Sequence, residues 1–392
     1  METNKDYIEY VHKVYDYLHT IPEKGFEEYK TSEFVLKELE KMGFENINKG
    51  IAGTGIIVTI DSKKEGPVFA IRADMDALEF IIDGEKKMIH ACGHDGHTSM
   101  LLTAAKLIKE RNLVKRGKLK ILFQPGEEKL YGALRVIDSG LLDDVEEMVG
   151  MHLRPGQDCR LGKAIPAMYH CASCIMEFTI KGITCHGSKP HLGVNAVDAV
   201  CLAVNAINAI RVNPAIPNSI KVTNISVKGE TYNNIPDEAF MALDIRAESN
   251  DIIEELKEKA IHAVKTAVSS INAEAVLISK DGVPAAEFDE ELVNLAEETI
   301  KDVLGADASI GIFKNSGGED FHYYTQKLKC KTTYIGLGAD ATPGFHNPNV
   351  TFDTKALEYG VDWLKRDWDN IQTNNSTFKI IIIEVIEKDC LC

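Results

Sequence analysis

The pattern of apolar residues between positions 174 and 279 constrains the fold of this chain more than any other feature. Runs at 174–181, 219–228, 240–247 and 273–279 read as strands, while 196–211 and 251–270 carry the 3.6-residue periodicity of helices. The order β-α-β-β-α-β is that of a ferredoxin-like unit. It reads as an insertion, because helices and strands alternate on both sides of it. Before it come helices at 4–18 and 30–42, the second stopped by Gly43, and strands at 55–60, 68–72, 118–123 and 147–152. Between two of those strands lies the helix 98–110, apolar around most of its circumference. After the insertion follow a helix at 290–304, a strand at 332–336 and a helix at 354–368. Strands separated by helices predict an α/β sheet covered on both faces. The chain therefore divides into residues 1–172 with 284–370, an inserted domain at 173–283, and a tail at 371–392. In the tail, 378–386 is a short, very apolar β-type run; an added edge strand and a disordered end are both compatible with it.

Just ahead of the apolar helix, His90-Ala91-Cys92-Gly93-His94-Asp95-Gly96-His97 packs a thiol, three imidazoles and a carboxylate into eight residues. A core would have to find a partner for each buried ring, whereas a first-row transition metal takes such donors directly. Cys92 and His94, two apart, can project to one side. His97 falls a turn into the helix and reads as a supporting or capping residue; His90 is open. Three more motifs follow strands, where open α/β sheets carry their sites. Asp74 and Asp76 in Ala73-Asp74-Met75-Asp76 can point the same way, one towards a ligand histidine and the other towards the chain that holds it; helix capping and turn formation are the alternatives. In Gln124-Pro125-Gly126-Glu127-Glu128, adjacent carboxylates leave the backbone in different directions, so one can bind metal while its neighbour faces a polarised water. His152 and His346 are single imidazoles at strand and loop positions. Cys92, His94, Glu128, His152 and His346 together are too many ligands for one catalytic zinc, and they fit a metal pair.

Charge and cysteine usage narrow the partners. A formal net charge of −16 excludes a broad electrostatic footprint for nucleic acid or an anionic membrane. The amino terminus has no secretory signal pattern, and no window is long and apolar enough to span a bilayer, so a cytoplasmic protein is expected. Nine scattered cysteines without framework spacing read as reduced thiols, including Cys171 and Cys174, whose redox-motif spacing opens a strand rather than a strand-to-helix turn.

In these motifs, and in Gly318-Glu319-Asp320-Phe321, the chain resembles the metal-dependent amidohydrolases that include hippurate hydrolase, N-acetyldiaminopimelate deacetylase and the indoleacetyl-amino-acid hydrolases, a branch of the aminoacylase and carboxypeptidase superfamily. The resemblance covers residues 5–368, in motif order. It implies a mixed-sheet dinuclear metallohydrolase domain, interrupted by a ferredoxin-like lid and dimerisation domain, in a homodimer. It further implies two divalent metal ions, zinc or manganese with cobalt or nickel as alternatives, held by Cys92, His94, Glu128, His152 and His346. Glu127 becomes the general base and Asp74 the acid that orients a ligand histidine. His186, in Gly182-Ile183-Thr184-Cys185-His186, becomes the lid histidine that polarises the scissile carbonyl. Asn234 and Arg246 fall where the family holds substrate, and Glu319 near the pocket floor. One departure stands at Glu79-Phe80, where members commonly read Pro-Ile and an acid, so the substrate-side rim differs.

The expected activity is hydrolysis of the amide bond of an N-acyl amino acid or similar small conjugate. Two rivals predict different behaviour. A thiol hydrolase using Cys92 with His94 would survive a chelator and die with iodoacetamide. An inactive relative that only binds ligand would hold metal without hydrolysis.

Overall fold

The structure, a computed structural model, describes residues 4–229 and 231–373; the apolar run at 378–386 lies outside them. The chain forms two compact units. The first holds the chain up to Met168, then Glu287–Phe313 and the chain from Tyr323 on; the second holds Tyr169–Ala286 and Lys314–His322.

The first unit is built on a seven-stranded mixed sheet in the order Ile47–Ile51, Gly55–Asp61, Lys118–Gln124, Val68–Asp74, Glu147–Pro155, Lys331–Ala341, Ala164–Ile165. The central pairings, from Lys118–Gln124 across to Lys331–Ala341, are parallel, and both margins are antiparallel. Central strands such as Val68–Asp74 and Lys118–Gln124 are buried along almost their whole length, which is why they read as continuous apolar runs. The helix His94–Glu110 packs on Val68–Asp74 and is flanked by Asn4–His19 and Lys355–Thr373. All but three of its 17 residues are buried, so its apolar circumference has a neighbour on nearly every side. The helix starts one turn earlier than its periodicity predicts, at His94, because Gly93 at φ 86° supplies the left-handed turn into it. Among the elements that escaped the sequence reading are the strand Ile47–Ile51 and the hairpin Leu78–Ile82 with Glu85–Ile89, both short and largely solvent-facing, and the helices Gly132–Ile137 and His322–Leu328.

The second unit carries a four-stranded antiparallel sheet in the order Asn218–Lys228, Glu238–Ala247, Ala172–Lys181, Glu274–Val283. The helices Ala196–Asn208 and Asn250–Ser269 pack on it over a core that includes Met176, Phe178, Leu243 and Leu256. The first of these helices is capped by Asn195, whose side chain accepts from Val197 N. The segment Lys314–His322 belongs with this unit, although its place in the sequence assigns it to the other: Cys171 N donates to Asn315 O at 3.0 Å and Lys314 pairs with Glu248 at 2.6 Å. Glycine-rich and without periodicity, it carries no pattern that announces the partner.

Candidate metal centre

The carboxyl ends of the parallel strands bring five distant stretches of the first unit to one place. Val68–Asp74 ends at Asp74, which is in register with Gln124 on the next strand; Gln124 leads into the turn carrying Glu127 and Glu128. His152 lies near the end of Glu147–Pro155. Cys92 sits in the turn before the helix His94–Glu110, and His346 N donates to Ala91 O at 2.7 Å, which ties its loop to that turn.

Donor atoms from these stretches meet. Cys92 Sγ is 3.3 Å from His152 Nε2 and 3.4 Å from His346 Nε2, and His346 Nε2 is 3.4 Å from Glu128 Oε1. A thiolate and an imidazole on one tetrahedral zinc stand about 3.5 Å apart, given their usual bond lengths. Two donor groups share Cys92: one with His94 and His152, the other with Glu128 and His346, each with its ligand atoms within 4.8 Å of one another. The donor set fits a pair of metal ions.

The supporting hydrogen bonds aim the rings. His152 Nδ1 lies 2.6 Å from Leu153 O, which places its proton there and turns the Nε2 lone pair towards Cys92. His94 Nδ1 is 3.1 Å from Asp76 Oδ1, and the same carboxylate accepts Glu127 N at 3.2 Å and Glu128 N at 3.0 Å. The acid hydrogen-bonded to His94 Nδ1 is thus Asp76, where Asp74 was expected to orient a ligand histidine. Asp74 instead accepts from His97 Nδ1 and from Arg72, both at 2.6 Å, and its Oδ2 lies 3.7 Å from His94 Nε2. Two acids two residues apart at a strand end look alike in sequence; only the direction of the chain after the strand separates them. His97 in turn accepts Leu153 N at 3.0 Å, so it braces the strand end that carries His152.

Electrostatics at this place call for positive charge. His94 Nε2 is buried and has no hydrogen-bond partner, yet Asp74, Glu127 and Glu128 oxygens stand 3.7, 3.9 and 4.0 Å away. Burial acts to lower its pKa, and Asp74, Asp76 and Glu128 outweigh it, raising it to about 10. Burial, then Glu128, Glu127 and Asp74, push the Cys92 thiol well above its usual range. Burial also works to raise Asp74, but His94, Arg72 and His97 hold its carboxyl well below the usual range. A cation bound here would offset the carboxylates that oppose the Cys92 thiolate and would take the place of the proton they favour on His94.

The remaining predicted residues belong to the second unit. His186 and Asn234 are register partners in a two-stranded ladder of the second unit, with His186 Nδ1 accepting from Ser188. Arg246 is held by Asp244 at 2.9 Å and lines a cavity of about 300 Å³ in that unit, together with Cys171, Ser219 and Lys314. Glu319 is buried and accepts Phe321 N at 3.1 Å. His90 is buried with neither ring nitrogen hydrogen-bonded. The described cysteines are all free, including Cys171 and Cys174. The sequence reading missed Glu28, which is fully buried and bonded to Gly126 N at 2.9 Å. Next to another acid at a helix start, it carries the signature of an ordinary solvent-facing first-turn carboxylate.

Fold and site together define a metal-dependent amidohydrolase. Residues 70–369 match the model of peptidase family M20/M25/M40, and the chain belongs to that family. N-acetyl-L-cysteine deacetylase of Bacillus subtilis is 30% identical over 87% of this chain and 83% of its own. Hippurate hydrolase of Campylobacter jejuni is 29% identical over 88% of this chain and 92% of its own. Among solved structures, the YXEP protein of Bacillus subtilis, described as a dinuclear metal-binding peptidase of the M20 family, superposes with TM-score 0.76 at 25% identity, covering 94% of this chain and 98% of its own. No helix among the described residues is long and apolar enough to cross a membrane.

Proposed function

We propose that the chain hydrolyses the amide bond of N-acyl amino acids or similar small conjugates, with Cys92, His94, Glu128, His152 and His346 holding two divalent ions, zinc or manganese, and Glu127 as general base. The observation that carries this reading is His94 Nε2, a buried nitrogen without a hydrogen bond and with three carboxylates within 4.0 Å. Metals bound there supply a polarised carbonyl and a water whose pKa falls to about 7. Glu127, beside His94, takes the proton of the attacking water and hands it to the leaving amine, a role worth about 10²–10⁴-fold. The names of the two enzymatic relatives, an acetylcysteine deacetylase and a hippurate hydrolase, support acyl amino acids as the substrate class.

The same proposal gives residues 173–283 the part of lid and dimerisation domain in a cytoplasmic homodimer. In that domain His186 supplies a proton donor to the acyl oxygen and Asn234 and Arg246 contact the substrate, as does Glu319. A thiol mechanism is disfavoured by the environment of Cys92, which opposes a free thiolate.

The test is a panel of acetyl, benzoyl and longer acyl amino acids plus dipeptides, offered to protein loaded with zinc, manganese, cobalt or nickel. Hydrolysis that stops with chelator and falls about 10³-fold in Glu127→Gln at full metal loading is the expected result. A fully loaded enzyme that cleaves nothing, or a Glu127→Gln variant near wild-type turnover, overturns it.

A further inference from the structure

Glu28 lies 98 residues before Gly126 in the chain and is fully buried, yet it contacts the backbone from which Glu127 and Glu128 arise. Its Oε1 accepts Gly126 N at 2.9 Å and Phe26 N at 3.0 Å, and its Oε2 accepts the Thr54 hydroxyl at 2.5 Å. Thr54 is itself fixed, since its carbonyl accepts Ser32 Oγ at 2.6 Å. Gly126 turns in the left-handed region at φ 67°, and a Cβ there would stand 2.6 Å from the Phe26 ring. Phe26 is also left-handed, at φ 69°, a conformation that a bulky residue holds only when its surroundings impose it. The Glu28 carboxylate supplies that constraint by binding the N–H of Phe26 and of Gly126 with one oxygen.

The segment before Glu28 is anchored to the other acidic loop. Ala77 N donates to Glu23 O at 2.8 Å, and Glu23 also takes Lys30 N and Thr31 N at 2.9 Å each, which fastens the start of the helix Tyr29–Lys41. The stretch from Glu23 to Glu28 therefore spans from the Asp76 turn to the Glu127 turn. Asp76 grips Glu127 N and Glu128 N from one side; Glu28 grips Gly126 N immediately upstream.

We propose that Glu28 is a positioning residue for the general base: by holding Gly126 N–H it fixes the direction in which Glu127 leaves the turn. This rests on the reading of Glu127 given above. A displacement of about 1 Å at a reacting group costs about 100-fold in rate, which sets the size of the effect.

The experiment compares Glu28→Ala, Glu28→Asp and Glu28→Gln by steady-state kinetics on the best substrate of the panel and by amide hydrogen exchange of the segment 126–130. In Glu28→Ala, and in Glu28→Asp should the former not fold, kcat falls by about 100-fold with KM within about twofold, and exchange of the segment accelerates. Glu28→Gln, which keeps an acceptor oxygen for both N–H groups, restores both readouts. Wild-type exchange in the folded Ala or Asp variant overturns the inference, as does a folded Gln variant as impaired as Ala. If the wild-type protein cleaves nothing on the panel, the functional reading fails by itself and the exchange measurement alone decides the role of Glu28.

Discussion

The carboxylate of Asp76 links the two halves of the centre, gripping the far side of the His94 ring with one oxygen and the backbone beneath Glu127 and Glu128 with both. Removing it frees the ring and the turn together. Asp76→Ala is expected to weaken metal binding about 10–100-fold, the usual cost of losing a carboxylate behind a ligand histidine; a competition titration with a chromophoric chelator reads this, and unchanged affinity would refute it. Glu28 makes a second prediction. Burial, opposed by Thr54 and reinforced by Asp76, raises its carboxyl from 4.5 to about 7. A group with a raised folded pKa contributes stability that is complete below pH 4.5 and is lost as the pH climbs towards 7. Metal-free wild type should thus lose more stability between pH 5 and pH 8 than Glu28→Gln, measured by urea unfolding; parallel losses would count against it. At this scale the candidate donors were legible because Cys, His and Glu at strand ends are chemically conspicuous. The division of labour between Asp74 and Asp76 was not, because it depends on backbone direction, and Glu28 was not, because its partner is 98 residues away.

Dense burial made the limits of the long elements readable, although the largely exposed strand Asn218–Lys228 was read as well. Strands such as Lys118–Gln124 and the helix His94–Glu110 bury nearly every residue, so their apolar content is dense and their limits differ from the sequence reading by at most one turn. The hairpin Leu78–Ile82 with Glu85–Ile89 exposes Glu85, Lys86 and Lys87 and leaves Ile81 74% exposed, which masks the alternation of the half-buried Leu78, Phe80 and Ile82. It nevertheless occupies the stretch between Asp76 and Cys92, where the Glu79-Phe80 departure falls. The helix His94–Glu110 carries His94 and His97 at its start and is fixed by its interior. Leu102 in that helix is fully buried, and Leu102→Ala is expected to cost about 2–5 kcal/mol, seen as a lowered urea midpoint. A loss below 1 kcal/mol would mean that the helix is not the packed support described here.

For the whole molecule, the β-α-β-β-α-β order appears in the second unit as a four-stranded antiparallel sheet with two helices, and the alternation around it as one mixed sheet. What the sequence could not disclose is the return of Lys314–His322 to the second unit, since that association is made by tertiary hydrogen bonds and not by a periodic face. All five proposed ligands belong to the first unit, so metal binding should be separable from the integrity of the second. Phe178, fully buried in the second unit, tests this: Phe178→Ala is expected to lower the stability of that unit by about 3–5 kcal/mol and leave metal content at the wild-type level. Metal loss in step with unfolding of the second unit would contradict it.

The most direct measurement of the central claim is anomalous scattering, at the metal edge, from crystals grown with excess zinc or manganese. The account predicts two peaks per chain, one among Cys92, His94 and His152 and the other among Cys92, Glu128 and His346. A single peak away from these side chains, or none at full occupancy elsewhere in the lattice, would contradict it.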